Sequence, residues 1–362
     1  MRPQRGGPTT VGHDDRKAGT DSAPGPGGAL SRRRFLTMAG AGAAALAVGA
    51  CGSDEQQNET SSPAAGQEPA LAGTTITTAV YAKNHASSPL FWQRFAPEGV
   101  KVDVKIFTSG SDMNRALEAG DLDFGLFGPY NGLIEKEQGL GSKVICMCSR
   151  RGIGVVARKD RGIESVADLR GKIFAVPPPG ILVLILNNLL HRAGLELNRD
   201  LKAVPLGYAD HPGALARGDV DAFFGTEPLV TQSVLSGVGK RLVDPYDTAL
   251  GDFNTAIWAS PKMLARPELL RATTRMQRDA AEYLSPGGRN DPEVWKDLLV
   301  KQFGYSEQVY QEVLSNVGAV WRFDDARKAQ FEGAAKEMRA TGVLNKDVDL
   351  SAVLELQHQP AS

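Results

Sequence analysis

At 362 residues, 42% hydrophobic and 23% charged, the chain has a globular composition and enough length for one large or two medium domains. The first 50 residues hold 7 Lys or Arg against 3 Asp or Glu, which leaves 34 against 39 for the rest; a mildly acidic body argues against a nucleic-acid partner. Three Cys cannot build a disulfide framework, and no run of about 20 apolar residues suggests a membrane-spanning helix outside the N-terminus.

The chain opens with Gly, Pro and polar residues up to Leu30, too poor in apolar side chains to offset the entropy of ordering. Ser31-Arg32-Arg33-Arg34-Phe35-Leu36-Thr37 follows, ahead of a short Ala/Gly-rich apolar stretch. It resembles a twin-arginine export signal. Val48-Gly49-Ala50-Cys51 resembles a lipobox, in which Cys51 is lipidated and becomes the new N-terminus. Residues 1–50 are therefore expected to be a lipoprotein signal peptide. Residues 51–72, polar and Pro-bearing, are expected to be a flexible tether from the lipid to the folded body.

Within that body one phrase occurs twice. Ala116-Leu117-x-x-Gly120-Asp121-Leu122-Asp123 matches Ala214-Leu215-x-x-Gly218-Asp219-Val220-Asp221, 98 residues later. Each copy reads as a helix end, a Gly able to take the left-handed cap, and an Asp-flanked entry into a buried strand. Neighbouring segments repeat at a similar offset: residues 74–81 pair with 172–176, 101–107 with 201–208, and 142–148 with 240–244. A repeat of several elements at one spacing points to a duplicated α/β lobe. Strands alternating with helices predict a mostly parallel, doubly wound sheet in each lobe, with ligand loops beyond the strand ends and hinge closure between lobes. The expected division is lobe 1 from 73–152 and 246–362, including a helical tail, and lobe 2 from 153–245. The stretch 252–259 reads as a return strand. The tail reads as helices over 267–284, 292–303, 306–317 and 325–340, placed against lobe 1.

Together with Gly162–Gly180, Phe224–Pro228 and Met338–Leu350, these phrases resemble the extracytoplasmic solute-binding proteins of ABC importers. The branch is that of nitrate, sulfonate, taurine and thiamine precursors, and the likeness spans about Thr74 to Leu350. It implies a two-lobed periplasmic-binding-protein-like fold of type II, a small-molecule ligand, an ABC permease as partner, a membrane anchor through Cys51, and no chemistry on the ligand. A monomer without cofactor or metal is expected. One loop departs from the family pattern. Where sulfonate and nitrate binders present Gly with Ser or Thr, this chain has Pro177-Pro178-Pro179-Gly180-Ile181-Leu182, so hydroxyl donors for a small oxyanion are missing. Gly180 can still bring backbone amides to a ligand at a helix start.

Cleft-facing candidates follow from the strand ends: Tyr81, Lys83, His85, Ser109, Gly110, Phe127, Tyr130 and Asn131 in lobe 1, and Gly180, Ile181, Tyr208, Thr226 and Glu227 in lobe 2. Flat apolar surfaces with a few fixed polar groups suit a small organic solute, and the tyrosines lean toward an aromatic or amine-bearing one. Glu227 and Asp210 could accept from an amine or, equally, cap the helices that follow; for Asp210 the cap is expected. His85 and His211 are expected to be solvated loop residues, since two His without other donors at ligand spacing do not make a metal site. Cys146 and Cys148, two apart on a strand, point to one face at about 6.5 to 7 Å and are expected to be small buried hydrophobes rather than a disulfide. Arg150 or Arg151, at the lobe crossing, could reach an anion, with surface solvation the expectation. Two other functions share this sequence evidence: a thiamine-pyrimidine-synthase-like or lyase enzyme on the same fold, and an extracytoplasmic sensor module.

Overall fold

The computed structural model describes residues 71–177, 181–248, 251–340 and 342–361. The export signal, the lipobox with Cys51, most of the tether and Gly180 lie outside the described residues. Among the described residues no helix is long and apolar enough to cross a membrane.

The first half of the body runs β1 (Thr75–Tyr81), β2 (Lys101–Phe107), α1 (Gly110–Ala119), β3 (Phe124–Phe127), α2 (Asn131–Glu137) and β4 (Lys143–Arg151). The second runs β5 (Ile153–Arg158), β6 (Ile173–Val176), α3 (Ile181–Arg192), α4 (Leu197–Asp200), β7 (Lys202–Pro205), α5 (His211–Arg217), β8 (Ala222–Thr226), α6 (Leu229–Leu235) and β9 (Gly239–Val243). After β10 (Phe253–Ala259) come α7 (Pro261–Leu264), α8 (Pro267–Leu284), α9 (Pro292–Lys296), α10 (Glu307–Val313), β11 (Val317–Ala319) and α11 (Asp325–Ala340).

Lobe 2 is a five-stranded sheet ordered β7-β6-β8-β5-β9. In lobe 1, β1 pairs with β2, and a second sheet is ordered β11-β4-β10-β3. The Asp123 amide donates to Thr77 O at 2.9 Å, which sets β1 beside the entry to β3. The two lobes thus share one plan, with a strand from the other half inserted before the last: β10 between β3 and β4, and β5 between β8 and β9. Each inserted strand enters from the opposite lobe and runs antiparallel to both neighbours. The sheets are mixed, where a mostly parallel pairing was expected, because a chain that crosses between lobes must arrive against the local strand direction.

The repeated phrase does the same work in both lobes. Gly120 and Gly218 close α1 and α5 in the left-handed region, φ 83° and 81°, where a Cβ would be strained. Asp123 Oδ2 then accepts from the Thr77 amide at 2.7 Å, and Asp221 Oδ2 from the Ile173 amide at 2.9 Å. The second oxygen of each meets a cation just after the inserted strand: Lys262 Nζ at 3.0 Å for Asp123, and Arg161 Nε at 2.9 Å for Asp221. These charge-assisted contacts tie the phrase to the neighbouring strand and to the crossing segment.

The tail departs from the expected set of helices in two ways. Val317 opens β11, which joins the lobe 1 sheet beside β4. The tail also reaches past lobe 1, since α10 packs against α6 of lobe 2. Within lobe 1, α8 covers β4 and a 3-10 helix at Ser88–Phe95, and it buries Leu269, Leu270, Met276 and Leu284, each worth about 2 kcal/mol of apolar transfer. Gln277 Oε1 on that face accepts from Ser88 Oγ at 2.9 Å and Trp92 Nε1 at 3.0 Å. Cys146 and Cys148 are free and buried, with Cys148 Sγ 3.2 Å from Ser88 Oγ.

Candidate ligand-binding cleft

The carboxyl end of β1 meets the ends of β7 and β8 of the other lobe, the position where α/β sheets bind ligands. Two contacts across the lobes hold the loop after β1 on the end of β8. Asn84 Nδ2 donates to Thr226 Oγ1 at 3.2 Å, and His85 Nδ1 lies 3.3 Å from Glu227 O. Tyr81 of lobe 1 and Tyr208 of lobe 2 are near enough that each phenolate would repel the other. Burial first, then Tyr208 and Glu135, pushes the Tyr81 pKa up. Burial alone raises that of Tyr208. Both rings are neutral, and each combines a flat apolar face with a hydroxyl.

Gly110, at the start of α1, lets this arrangement form. A Cβ there would stand 2.7 Å from Tyr81 Oη. Ser109 caps α1 by accepting from the Asp112 amide at 3.4 Å. Asn131 opens α2, and a groove of about 370 Å³ runs between α1 and α2, lined by Gly110, Asn114, Asn131 and Glu135 among others. Asn114 Nδ2 donates to Glu135 Oε1 at 2.9 Å. Burial, followed by the nearby Glu118, pushes the Glu135 carboxyl up to about 8.

Other candidates lie deeper. Phe127 stacks on Trp258 at 4.5 Å between ring centres, and Tyr130 on Phe331 at 5.3 Å; both are enclosed. Lys83 is exposed at φ 50°, and its carbonyl accepts from Tyr305 at 3.2 Å. Ile181 opens α3.

Three expectations are corrected by their surroundings. His85 and His211 are buried, 2% and 0% exposed, where solvated loop histidines were expected. Burial holds both near pKa 4, so each is neutral. His85 fills the space left by Gly152, accepts at Nε2 from Asn254 Nδ2 at 2.9 Å, and sits where both crossing segments meet. His211 Nε2 lies 3.2 Å from Leu206 O. Asp210 precedes α5 without a side-chain cap, because the preceding 3-10 turn leaves it in a helical conformation, φ −86° and ψ −19°, instead of the extended one a capping residue needs.

Glu227 takes the helix-holding alternative. It is wholly buried; Oε2 accepts from the Thr231 amide at 3.0 Å, Oε1 from Thr231 Oγ1 at 3.1 Å, and Arg241 completes an ion pair with Oε1. Arg151 lies over the Tyr246 ring at 4.4 Å, and Arg150 is 3.9 Å from Asp252. Asn84, Asn114, Glu135 and Asn254 were not singled out in the sequence. For Asn114 and Glu135 a signal existed: each stands four residues after a named loop residue, Gly110 and Asn131, and so on the same helix face one turn in.

Among known proteins, the family model described as NMT1/THI5 like matches residues 94–287, more than half of the chain. The chain belongs to the NMT1/THI5-like family. Among relatives of this NMT1/THI5-like chain, a putative binding protein of Brucella abortus strain 2308 is 30% identical over 160 residues, 44% of this chain and 46% of that protein. The matched stretch thus spans about half the length of that relative. The taurine-binding periplasmic protein of Escherichia coli K12 is 28% identical over 206 residues, 56% of this chain and 62% of that protein. In structure, the alkanesulfonate-binding protein of Xanthomonas axonopodis pv. citri bound to MOPS superposes with TM-score 0.65 at 22% identity, over 78% of this chain and 99% of that one. A desulfurization enzyme also shares the fold, with TM-score 0.57 at 18% identity, over 79% of this chain and 97% of that one. The fold is therefore the two-lobed one of solute-binding proteins, and it is used by an enzyme as well.

Proposed function

We propose that this protein is the lipid-anchored, extracytoplasmic substrate-binding component of an ABC importer, closing its lobes on a small organic solute and presenting it to a permease. The observation that carries the reading is the pair of matched lobes joined by two crossing segments, with facing strand ends that bring Tyr81 and Tyr208 together. Hinge closure around such a cleft changes few backbone angles and encloses a small solute. Two neutral phenols and the loss of the Ser/Thr loop favour an aromatic or amine-bearing solute over nitrate. Anchoring rests on the Val48-Gly49-Ala50-Cys51 phrase, and export on Arg32 and Arg33.

Mass spectrometry of the ligand retained by protein purified from its own host, followed by thermal titration with that ligand, tests the proposal. A solute at one hundred times its Kd should stabilise the fold by about 2.7 kcal/mol and raise the thermal midpoint. If no retained or supplied metabolite moves the midpoint, the receptor reading is wrong. Conversion of the retained compound to a product would favour the enzyme reading. Cys51→Ala should release the protein from the membrane fraction, and Arg32→Lys with Arg33→Lys should leave it in the cytoplasm if the twin-arginine route is used.

A further inference from the structure

The groove between α1 and α2 holds three side-chain oxygens without a hydrogen-bond partner. Asn114 Oδ1, Asn131 Oδ1 and Glu135 Oε2 are each buried and unpartnered, and all three residues line the same groove of about 370 Å³. A buried polar oxygen left without a partner costs about 1–3 kcal/mol, so three in one groove favour a ligand that brings N–H donors. The terminal torsions of Asn and Glu are broad, so a rotation on binding would turn these oxygens toward a ligand in the groove. Gly110 lines the groove, and a Cβ there would stand 2.7 Å from Tyr81 Oη, so the groove begins beside that tyrosine.

The charges nearby have the same sense. Glu118 is committed to the Gly141 and Ser142 amides at 3.1 and 2.9 Å, and it acts on Glu135 as a like charge. Arg115, at the rim, is exposed and paired with Asp112. Lys136 reaches the Leu140 carbonyl at 3.4 Å. Among the described residues no cation lowers the Glu135 pKa, so its carboxyl is protonated at neutral pH and would release that proton to solvent on pairing with a bound cation. A planar cation with several N–H donors would meet acceptor oxygens on both walls, Asn114 on α1 and Asn131 and Glu135 on α2.

We propose that the groove receives an amidine or guanidine group of the transported solute, with Asn114, Asn131 and Glu135 as its acceptors. The inference rests on the solute-receptor reading and names the ligand chemistry of its lobe 1 side. It also assigns nitrogen recognition to α1 and α2, away from the internally paired Glu227.

The test is calorimetric titration of the full-length protein with benzamidine and agmatine against methanesulfonate and nitrate, repeated on Asn114→Ala and Glu135→Gln. The expected result is binding of at least one cationic probe and of neither anion. Each variant should weaken the cationic probe by about tenfold, the effect of losing one charge-assisted contact, with the native circular dichroism spectrum retained. Binding of the anions in preference to the cations, or variants within twofold of the wild type, overturns this inference while leaving the receptor reading intact. Absence of binding in both series, with no ligand retained from the host, overturns both.

Discussion

Replacing Gly152 with alanine should destabilise the body at the point where the chain passes between lobes. Gly152 has φ 78°, a left-handed conformation that costs an L-residue about 1–2 kcal/mol. The new Cβ would stand 2.0 Å from His85 Nε2 and 2.2 Å from its Cε1, so the imidazole must leave its pocket. It would then lose its contacts to Glu227 O at 3.3 Å and Asn254 Nδ2 at 2.9 Å, each worth about 1 kcal/mol. The sum is about 3 kcal/mol, measured by urea unfolding at pH 7 with unchanged m-value. A double-mutant cycle isolates the cause. In a His85→Ala background the clash is gone, so Gly152→Ala should cost only the backbone part, and the coupling should be about 2 kcal/mol. If Gly152→Ala costs the same in both backgrounds, His85 does not occupy this space. If it costs under about 0.5 kcal/mol in the wild type, the crossing is looser than described.

The buried histidines set an acid limit. His85 and His211 are held near pKa 4 by burial, below the ordinary 6.5, so unfolding takes up protons between these values and stability should fall as pH drops from 6.5 toward 4; His85→Gln should flatten that slope in pH-dependent urea titrations. Glu135 works in the other direction, since a carboxyl raised to about 8 is neutral in the fold. Its contribution is present below pH 4.5 and lost as pH rises through 8, and Glu135→Gln should remove that loss. Asp123→Ala and Asp221→Ala should each cost about 2 kcal/mol, since each strands a strand amide and a cation, and the two losses should be similar if the lobes are built alike. Glu227→Gln should lower stability by about 2 kcal/mol through the weakened Arg241 pair and leave solute affinity within twofold. A tenfold loss of affinity would return Glu227 to the binding site.

The sequence by itself determined the duplicated frame. Ala-Leu-x-x-Gly-Asp-x-Asp carries its own local physics: a left-handed Gly cap and an Asp entering a strand behave alike wherever the phrase occurs, so the repeat, the two lobes and the strand-end loops were readable without coordinates. Gly110, Asn131, Tyr81 and Tyr208 were legible as strand-end residues because loop position follows directly from strand position. The direction of β5 and β10 was not, since hydrophobic alternation is the same for parallel and antiparallel strands, and only the crossing between lobes decides it. The role of Glu227 was likewise undecided, as a carboxylate before a Pro serves a ligand or a helix equally well until Thr231 and Arg241 are brought to it. His85 and His211 looked like loop residues, and packing buried them. Asn114 and Glu135 show the same limit. They are surface-type residues on amphipathic helices, and only the approach of α1 to α2 turned their oxygens into acceptors cut off from water.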